Sequence, residues 1–477
     1  MNLFRSSAYN NLVSVAERGP LNLAKTQTVL VPLLQGWRAP LEEFNADELT
    51  RALSRVDPAT CTLAYAQIVV DSVLLCRTAE QAEVAAQAVR RLAAEGRLEQ
   101  LQEYAPMLQR LADALGRLGD HALACGLLAD VAESLIAQMA ADQISTDDDA
   151  VQRLGGRSSG GVRLTPVHVE CVRKCVLARR TVLHQRVAAR VLGVPLDALG
   201  TLVSSGQRGR AFMEYSYYGG MVHAALGAHD EALLAWQRVF ALPARHVSAI
   251  SVAAYKRRTL LHVARHGTKP RLPSFFAAVH ARAIEGHAAA YVGLADACCP
   301  AGVASLAPAV AKLADMRSIL ANDENAGLAA LLEHALPAHY IRRCGAVYAA
   351  LTVQRLAELI GFSAHPLVAP QRMRGVVLAE PIDVGAALAQ YIREMDDPAV
   401  VLDGPVVRFL PTRATASPLL PNAALVGAGA ERLWADAVQR KVAEAQALRV
   451  RLEGLDRHLA LTKEYAVASR DKSLTNA

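Results

Sequence analysis

The 477-residue sequence predicts an all-α fold of stacked helical hairpins that ends in a small sheet-bearing cap and a long terminal helix. Three observations predict it. Ala and Leu dominate almost every window while aromatic residues make up only 5% of the chain, and both dominant residues lose little side-chain freedom on a helical backbone. Two glycines are followed by a small and then a bulky residue at the spacing of helix–turn–helix repeats. A single Asp-Gly step, Asp403-Gly404, sits between two β-branched runs and is the one convincing hairpin signal.

The repeat elements come first along the chain. Residues 81–96 read as an amphipathic helix ending at Gly96, placed where left-handed backbone closes a helix. A second helix is predicted over 98–115 and a third over 121–139, with the break at Gly119. Gly119 is followed by Ala124, Leu128 and Val131, and Gly227 by Ala232, Trp236 and Val239. These offsets match the turn and second helix of a tetratricopeptide-like repeat. Glycine permits the tight turn, alanine the close approach of two helices, and the bulky residue fills the next groove. Between the two patterns, STDDD (145–149) and LGGRSSGG (154–161) read as a polar, Gly-rich loop.

The cap and the terminal helix follow. Thr352 is placed to cap a short helix over 353–360 that stops at Gly361, and Asp383 to cap another whose apolar positions Val384, Leu388, Tyr391, Ile392 and Met395 share one face. The run 400–402, the Asp-Gly step and the run 406–409 then form the hairpin. Helices followed by a hairpin in this order predict a winged helix. A long helix over about 430–467 carries Val438, Ala445, Leu452 and Leu459 every seven residues, with Leu448 and Leu455 between them. Such an apolar seam needs a partner surface.

Composition narrows the function classes. A formal charge of +6 over this length is too weak to imply a nucleic-acid partner. No apolar run is expected to reach the length that spans a bilayer, and the first residues lack the apolar core of a signal peptide. Eight scattered cysteines in a well-cored chain suit a reducing compartment.

No motif supplies catalysis, a cofactor site or a metal site. H-x-H and H-E-x-x-H are both absent. His262 and His266 lie four apart without an accompanying base or a third ligand, and read as core histidines. Cys171 and Cys175, with His168 a turn earlier, read as small core residues for want of a second pair. Cys298-Cys299 reads as ordinary thiols. Gly156-Arg157-Ser158-Ser159-Gly160 spells a nucleophile elbow, but its preceding residues are too polar for the buried strand an elbow needs. Tyr215, Tyr217 and Tyr218 read as repeat packing, with one hydroxyl of Tyr215 or Tyr217 at a groove edge.

A winged helix that reads DNA needs cations on its third helix. The segment 383–397 carries Arg393 against Asp383, Glu394, Asp396 and Asp397, so nucleic acid is disfavoured there. Arg342, Arg343, Arg372 and Arg374 remain as a modest basic patch. The segment 406–409 reads as an uncovered strand edge open to addition of a neighbour's strand.

The segment FMEYSYYGGMVHAALGAHDEALLAWQRVFALP (212–243), continuing through VSAISVAAYKRRTLL (247–261), resembles the third-subunit family of the COP-nine signalosome. In that family a tyrosine-rich run ending in Gly-Gly-Met precedes a repeat-like hairpin. The likeness is weaker over 164–179 and 325–356, and a Pro-rich insertion over 362–381 departs from the family. The resemblance implies a tetratricopeptide-like solenoid leading into a PCI domain, which is a helical bundle capped by a winged helix. The expected division is 1–205 for the solenoid, 206–335 for the bundle, 336–415 for the winged helix and 428–470 for the bundling helix. It also implies a non-catalytic scaffold, in nucleus and cytoplasm, for a complex that removes the ubiquitin-like Nedd modifier from cullins and so regulates cullin-RING ligases. Partners would be the other subunits, and cullin-RING ligases themselves, with no membrane. Contacts are expected through Val400, Val406, Val407 and Phe409 of the hairpin and Leu448, Leu452, Leu455 and Leu459 of the terminal helix. PCI subunits of the proteasome lid and of translation initiation factor three share this plan and remain alternatives. So do a winged-helix nucleic-acid binder and an adaptor that takes peptides in its groove.

Overall fold

The structure, a computed structural model, describes residues 46–150, 162–197, 208–241, 247–272, 278–365 and 383–410, apart from 77, 99–100, 102–103, 195 and 396, together with Ser14. The chain divides into two units, Met1–Arg408 and Phe409–Ala477. The helices α1 (Ala46–Arg55), α2 (Thr62–Leu75), α3 (Ala79–Glu95), α4 (Ala105–Gly116) and α5 (His121–Ala150) open the described chain. After β1 (Val162–Arg163) come α6 (Pro166–Ala178), α7 (Thr181–Val187) with a π-helical extension over Ala188–Leu192, and β2 (Leu196–Asp197). Then follow α8 (Arg208–Ala225), α9 (His229–Arg238), α10 (Ala249–His266), α11 (Ala278–His287), α12 (Ala289–Cys298), α13 (Ala307–Asp315), α14 (Arg317–Asn322) and α15 (Ala326–Gly345).

Consecutive helices pair and each pair packs on the next. α3 lies against α2 and α5, α4 against α2 and α6, α5 against α6, α6 against α8, and α8 against α9, which meets α10. This nearest-neighbour pattern is how stacked repeats bury a continuous core. That core runs from Leu53 to Val222. The repeat positions behave as their spacing predicts: Ala124, Leu128, Val131, Ala232 and Trp236 are wholly buried. Gly227 turns the second hairpin with φ +76°, a conformation that favours glycine.

Polar side chains lock the layers where main chain would otherwise go unpaired. Gln138 of α5 accepts from Leu98 N and donates to Gly96 O. Arg186 of α7 reaches back to Glu133 and Asp130 of α5 at 2.7 Å each.

Several expectations are corrected here. Gly96 has φ −72° and is not left-handed; a Cβ there would sit 2.4 Å from Leu92 O, so close approach explains the glycine. The helix expected over 98–115 is interrupted: Leu98 and Leu101 are helical, Tyr104 lies in a turn, and α4 starts afresh at Ala105 with Pro106 in its first turn, where its missing N–H costs nothing. α5 runs through Ser145–Asp149 to Ala150, so STDDD is helical; no Gly or Pro stands between Met139 and Ala150 to stop it. The Gly-rich 154–161 segment, including Gly156–Gly160, lies outside the described residues. The stretch His121–Met139, mean hydropathy 1.4, is long and apolar enough by composition to cross a bilayer, but half of it is buried inside the fold, as befits a core helix. β1 and β2 add a short parallel pair that the sequence did not signal.

The cap follows its signals closely. Its elements are β3 (Ala350–Thr352), α16 (Val353–Ile360), a 3₁₀ turn (Phe362–Ala364), α17 (Val384–Met395), β4 (Val400–Asp403) and β5 (Val406–Phe409). Thr352 Oγ1 accepts from Arg355 N, and Gly361 closes α16 with φ +65°. Asp383 Oδ1 accepts from Gly385 N at 2.9 Å. Leu388, Tyr391 and Ile392 are buried. The hairpin loop is Gly404-Pro405, with Gly404 at φ +59°, a positive φ that the first position of a tight hairpin needs.

The sheet order is β3-β5-β4, with Leu351 opposite Val407. This corrects the hairpin reading: β5 is the central strand, and Val407 is wholly buried. The outer edges belong to β3 and β4. Ala350–Thr352 escaped notice because three residues carry no readable alternation. The proposed boundary between 335 and 336 falls inside α15. The cap also holds that helix directly: Tyr391 OH donates to His334 O at 2.7 Å, and the His365 ring pairs with Glu333 O at 2.8 Å. Leu306 N, at the start of α13, donates to Ile360 O at 2.7 Å. The 205/206 boundary, residues 366–381 of the Pro-rich insertion and the terminal helix lie outside the described residues.

One capping box departs from the usual residue. Thr165 caps α6, and the third helical residue is His168 rather than Glu or Gln. His168 Nδ1 accepts from Thr165 N at 3.2 Å, so the neutral ring carries its proton on Nε2, a buried atom with no partner. Burial pushes the pKa of His168 down from 6.5 to about 4. The unfolded chain takes up this proton near pH 6.5 and the folded chain does not. The stability it confers is therefore complete above pH 6.5 and drains away as pH falls toward 4, by up to about 3 kcal/mol. His168→Gln keeps the reciprocal bonds and removes the titration. Urea midpoints at pH 7, 6 and 5 are expected to fall less steeply for this variant than for the wild type, and parallel slopes would refute the assignment.

Candidate functional site

The functional candidates are surfaces and one cavity. Among the described residues no group of three or more His, Cys, Asp or Glu side chains is placed to hold a metal ion. Cys171 and Cys175 are wholly buried; the neighbouring Cys125 first, and burial second, pushes the Cys171 thiol well up, so it packs as a neutral core side chain. The His262 and His266 rings lie 4.6 Å apart, and burial first, with His266 second, holds His262 down at about 4. All eight cysteines are free thiols.

The assembly residues expected on the hairpin divide in two. Val407 and Phe409 of β5 and Val400 of β4 are buried and Val406 is half-buried, whereas the neighbouring Val401 is 41% exposed. What the sheet presents is therefore the outer edge of β4, with Val401 and Leu402, and that of β3. Leu448, Leu452, Leu455 and Leu459 lie outside the described residues. Of the basic patch, Arg342 and Arg343 are described. Arg342 pairs with Asp397, and Arg343 donates to Gly267 O at 2.8 Å and lies over the Tyr340 ring. Both arginines are engaged within the fold, and Arg372 and Arg374 lie outside the described residues.

The tyrosine run on α8 splits as its helical fan requires. Tyr215 is 5% exposed and donates to Val191 O, the carbonyl of the π-helical turn, at 3.2 Å. Tyr217 stands at the edge of a cavity of about 480 Å³, also lined by Val247, Val252, Lys256, Arg257, Asp323 and Asn325. Arg257 Nε donates to Tyr217 OH at 2.9 Å, and its guanidinium lies 5.6 Å from the ring centroid. Lys256 Nζ meets Asp323 Oδ2 at 2.8 Å, Tyr291 OH donates to the same oxygen, and Asn325 Nδ2 donates to Tyr291 OH. Burial alone would raise the Asp323 pKa, but the bonds from Lys256 and Tyr291 and the charges of Lys256 and Arg257 outweigh it and hold the carboxyl below its usual value. The sequence did carry a signal for this site. Lys256-Arg257-Arg258 are consecutive on a helix, so their 200° fan must send a cation toward the core. Arg257 and Arg258 are indeed 8% and 6% exposed.

Residues 28–280 match the family described as COP9 signalosome complex subunit 3, N-terminal helical repeats, a match covering more than half of the chain. The chain belongs to this family. The match spans α1 to α10, the helical stack that contains both Gly–Ala–bulky hairpins and the tyrosine run. Within this family, the chain is 23% identical over 200 residues to COP9 signalosome complex subunit 3 of Dictyostelium discoideum, covering 41% of this chain and 45% of that protein. It is 26% identical over 214 residues to the subunit of that name from Arabidopsis thaliana, covering 44% and 46%. The chain thus spans about half the length of the curated relatives it matches. Helical repeats followed by a winged helix with a three-stranded antiparallel sheet are the architecture expected of a PCI subunit.

Proposed function

We propose that this chain is a non-catalytic scaffold subunit of a signalosome-type complex acting on cullin-RING ligases by removal of their Nedd modifier, in nucleus and cytoplasm. The observation that carries the reading is the family match over 28–280 leading into a winged-helix cap. The division of labour that follows has the helical repeats as spacer, the cap's sheet edge as one joining surface and the helix over 428–470 as the other. The third helix of the winged helix, α17, carries Arg393 as its one cation, which argues against groove reading of DNA.

Affinity purification of the tagged chain followed by mass spectrometry tests this reading. A zinc isopeptidase and cullins in the eluate are the expected result. Proteasomal ATPases or ribosomal proteins in their place would transfer the chain to one of the other PCI complexes.

The edge itself is open to a sharper test. In a two-residue hairpin the residues flanking the loop, Asp403 and Val406, form a hydrogen-bonded pair, so the next residue, Leu402, points its N–H away from β5. Leu402→Pro removes that outward donor and leaves the internal ladder intact. Recovery of the neighbouring subunits is expected to fall about tenfold, as loss of roughly one hydrogen bond to a strand partner implies, with the melting temperature unchanged. Full recovery would remove this edge from the assembly surface.

A further inference from the structure

The cavity beside α10 is lined by no residue of the sheet, and its chemistry is unusual for a packing defect. We propose that it receives an acidic side chain with an apolar neighbour, presented by an extended segment of a partner protein. Arg257 is 8% exposed, and among the described residues Nε is its one nitrogen that donates a hydrogen bond, to the Tyr217 hydroxyl. A buried guanidinium whose one hydrogen-bond partner is a phenol is incompletely paired, and its planar fork matches a carboxylate.

Charge selects the ligand. Lys256 and Asp323 neutralise each other at 2.8 Å, which leaves one uncompensated positive charge on Arg257. A single carboxylate balances it. A phosphate dianion would overshoot and crowd the Asp323 carboxylate. Asn325, on the cavity wall, is 2% exposed, and its Oδ1 lacks a hydrogen-bond donor, which a backbone N–H that reaches it can supply. Val247 and Val252 on the wall offer the apolar side chain a place to bury. The inference stands on these residues alone and does not depend on which PCI complex the chain joins.

The probe is a set of fluorescein-labelled decapeptides, each with one Glu or Asp placed one to three residues from a Leu or Val, beside twins carrying Gln or Asn. With the full chain, at least one acidic peptide is expected to bind about tenfold or more tightly than its amide twin, the difference one charge-assisted pair makes. Arg257→Gln should abolish that preference. Ala253→Glu, which places a carboxylate at the cavity wall on a half-buried position, should abolish binding with the circular dichroism spectrum unchanged, and decides the matter alone if Arg257→Gln does not fold. Four results would each overturn the proposal: equal binding of the amide twins, full binding to Ala253→Glu, no peptide bound at about 1 mM, or displacement by low-millimolar inorganic phosphate, which would indicate a small-anion site.

Discussion

Trp236→Ala is expected to lower the stability of the helical stack by about 3 to 5 kcal/mol, the range for removing a fully enclosed large aromatic side chain. Trp236 has no exposed surface. Its indole Nε1 donates to Tyr217 O at 3.1 Å, so the side chain both fills the groove between α8 and α9 and ties the two helices. The fit is tight on the facing side: a Cβ on Gly220 would stand 2.4 Å from Nε1. Neighbouring helices cannot readily close over the space left behind, since each is held in turn by its next pair, and interiors relax only partially. Urea unfolding followed by circular dichroism reads the change, with Trp236→Phe as a milder companion that keeps part of the ring. A loss under about 1 kcal/mol would mean that this hairpin is not packed as described.

The second large effect lies in the cap. Val407→Pro is expected to cost about 3 kcal/mol or more, from three sources that act together. Proline removes the N–H that the β3–β5 register directs toward Leu351 and leaves its carbonyl acceptor unpaired. Its ring is a poor fit in a central strand, and it replaces a wholly buried valine whose methyl groups are lost to the core. Because the cap's hydrogen bonds to the stack run to α13 and α15, the change should appear there and in the cap. Hydrogen exchange is expected to accelerate over 350–360 and 400–408 while α2 to α9 keep their protection. Unaltered exchange in the cap would show that β5 is not the central strand.

That strand also shows where the sequence was readable and where it was not. Local signals transferred faithfully. Thr352 and Gly361 bracket α16, Asp383 caps α17, and Gly227 through Trp236 build the hairpin their spacing implies, because caps and turns are decided by a few neighbouring residues. Polarity misled at Ser145–Asp149, where helix continues: acidic and hydroxyl residues disfavour a helix weakly, whereas Gly and Pro stop one. Tertiary relations were the harder part. Nothing local in Ala350–Thr352 announces that it pairs with residues more than fifty positions later, and so the central strand was taken for an edge. The cavity was missed for a similar reason, since Tyr217, Arg257 and Asn325 meet only once α8, α10 and the start of α15 are assembled.

The junction between stack and cap has a practical corollary. Ile360 receives its hydrogen bond from Leu306, while His365 and Tyr391 take hold of main-chain oxygens in the middle of α15. Gene segments cut ahead of residue 336 would sever α15 and strip these oxygens and donors of their counterparts on both sides. The winged helix is thus not a detachable reader that recombination could shuffle between proteins; any transplantable cassette has to begin upstream of α13.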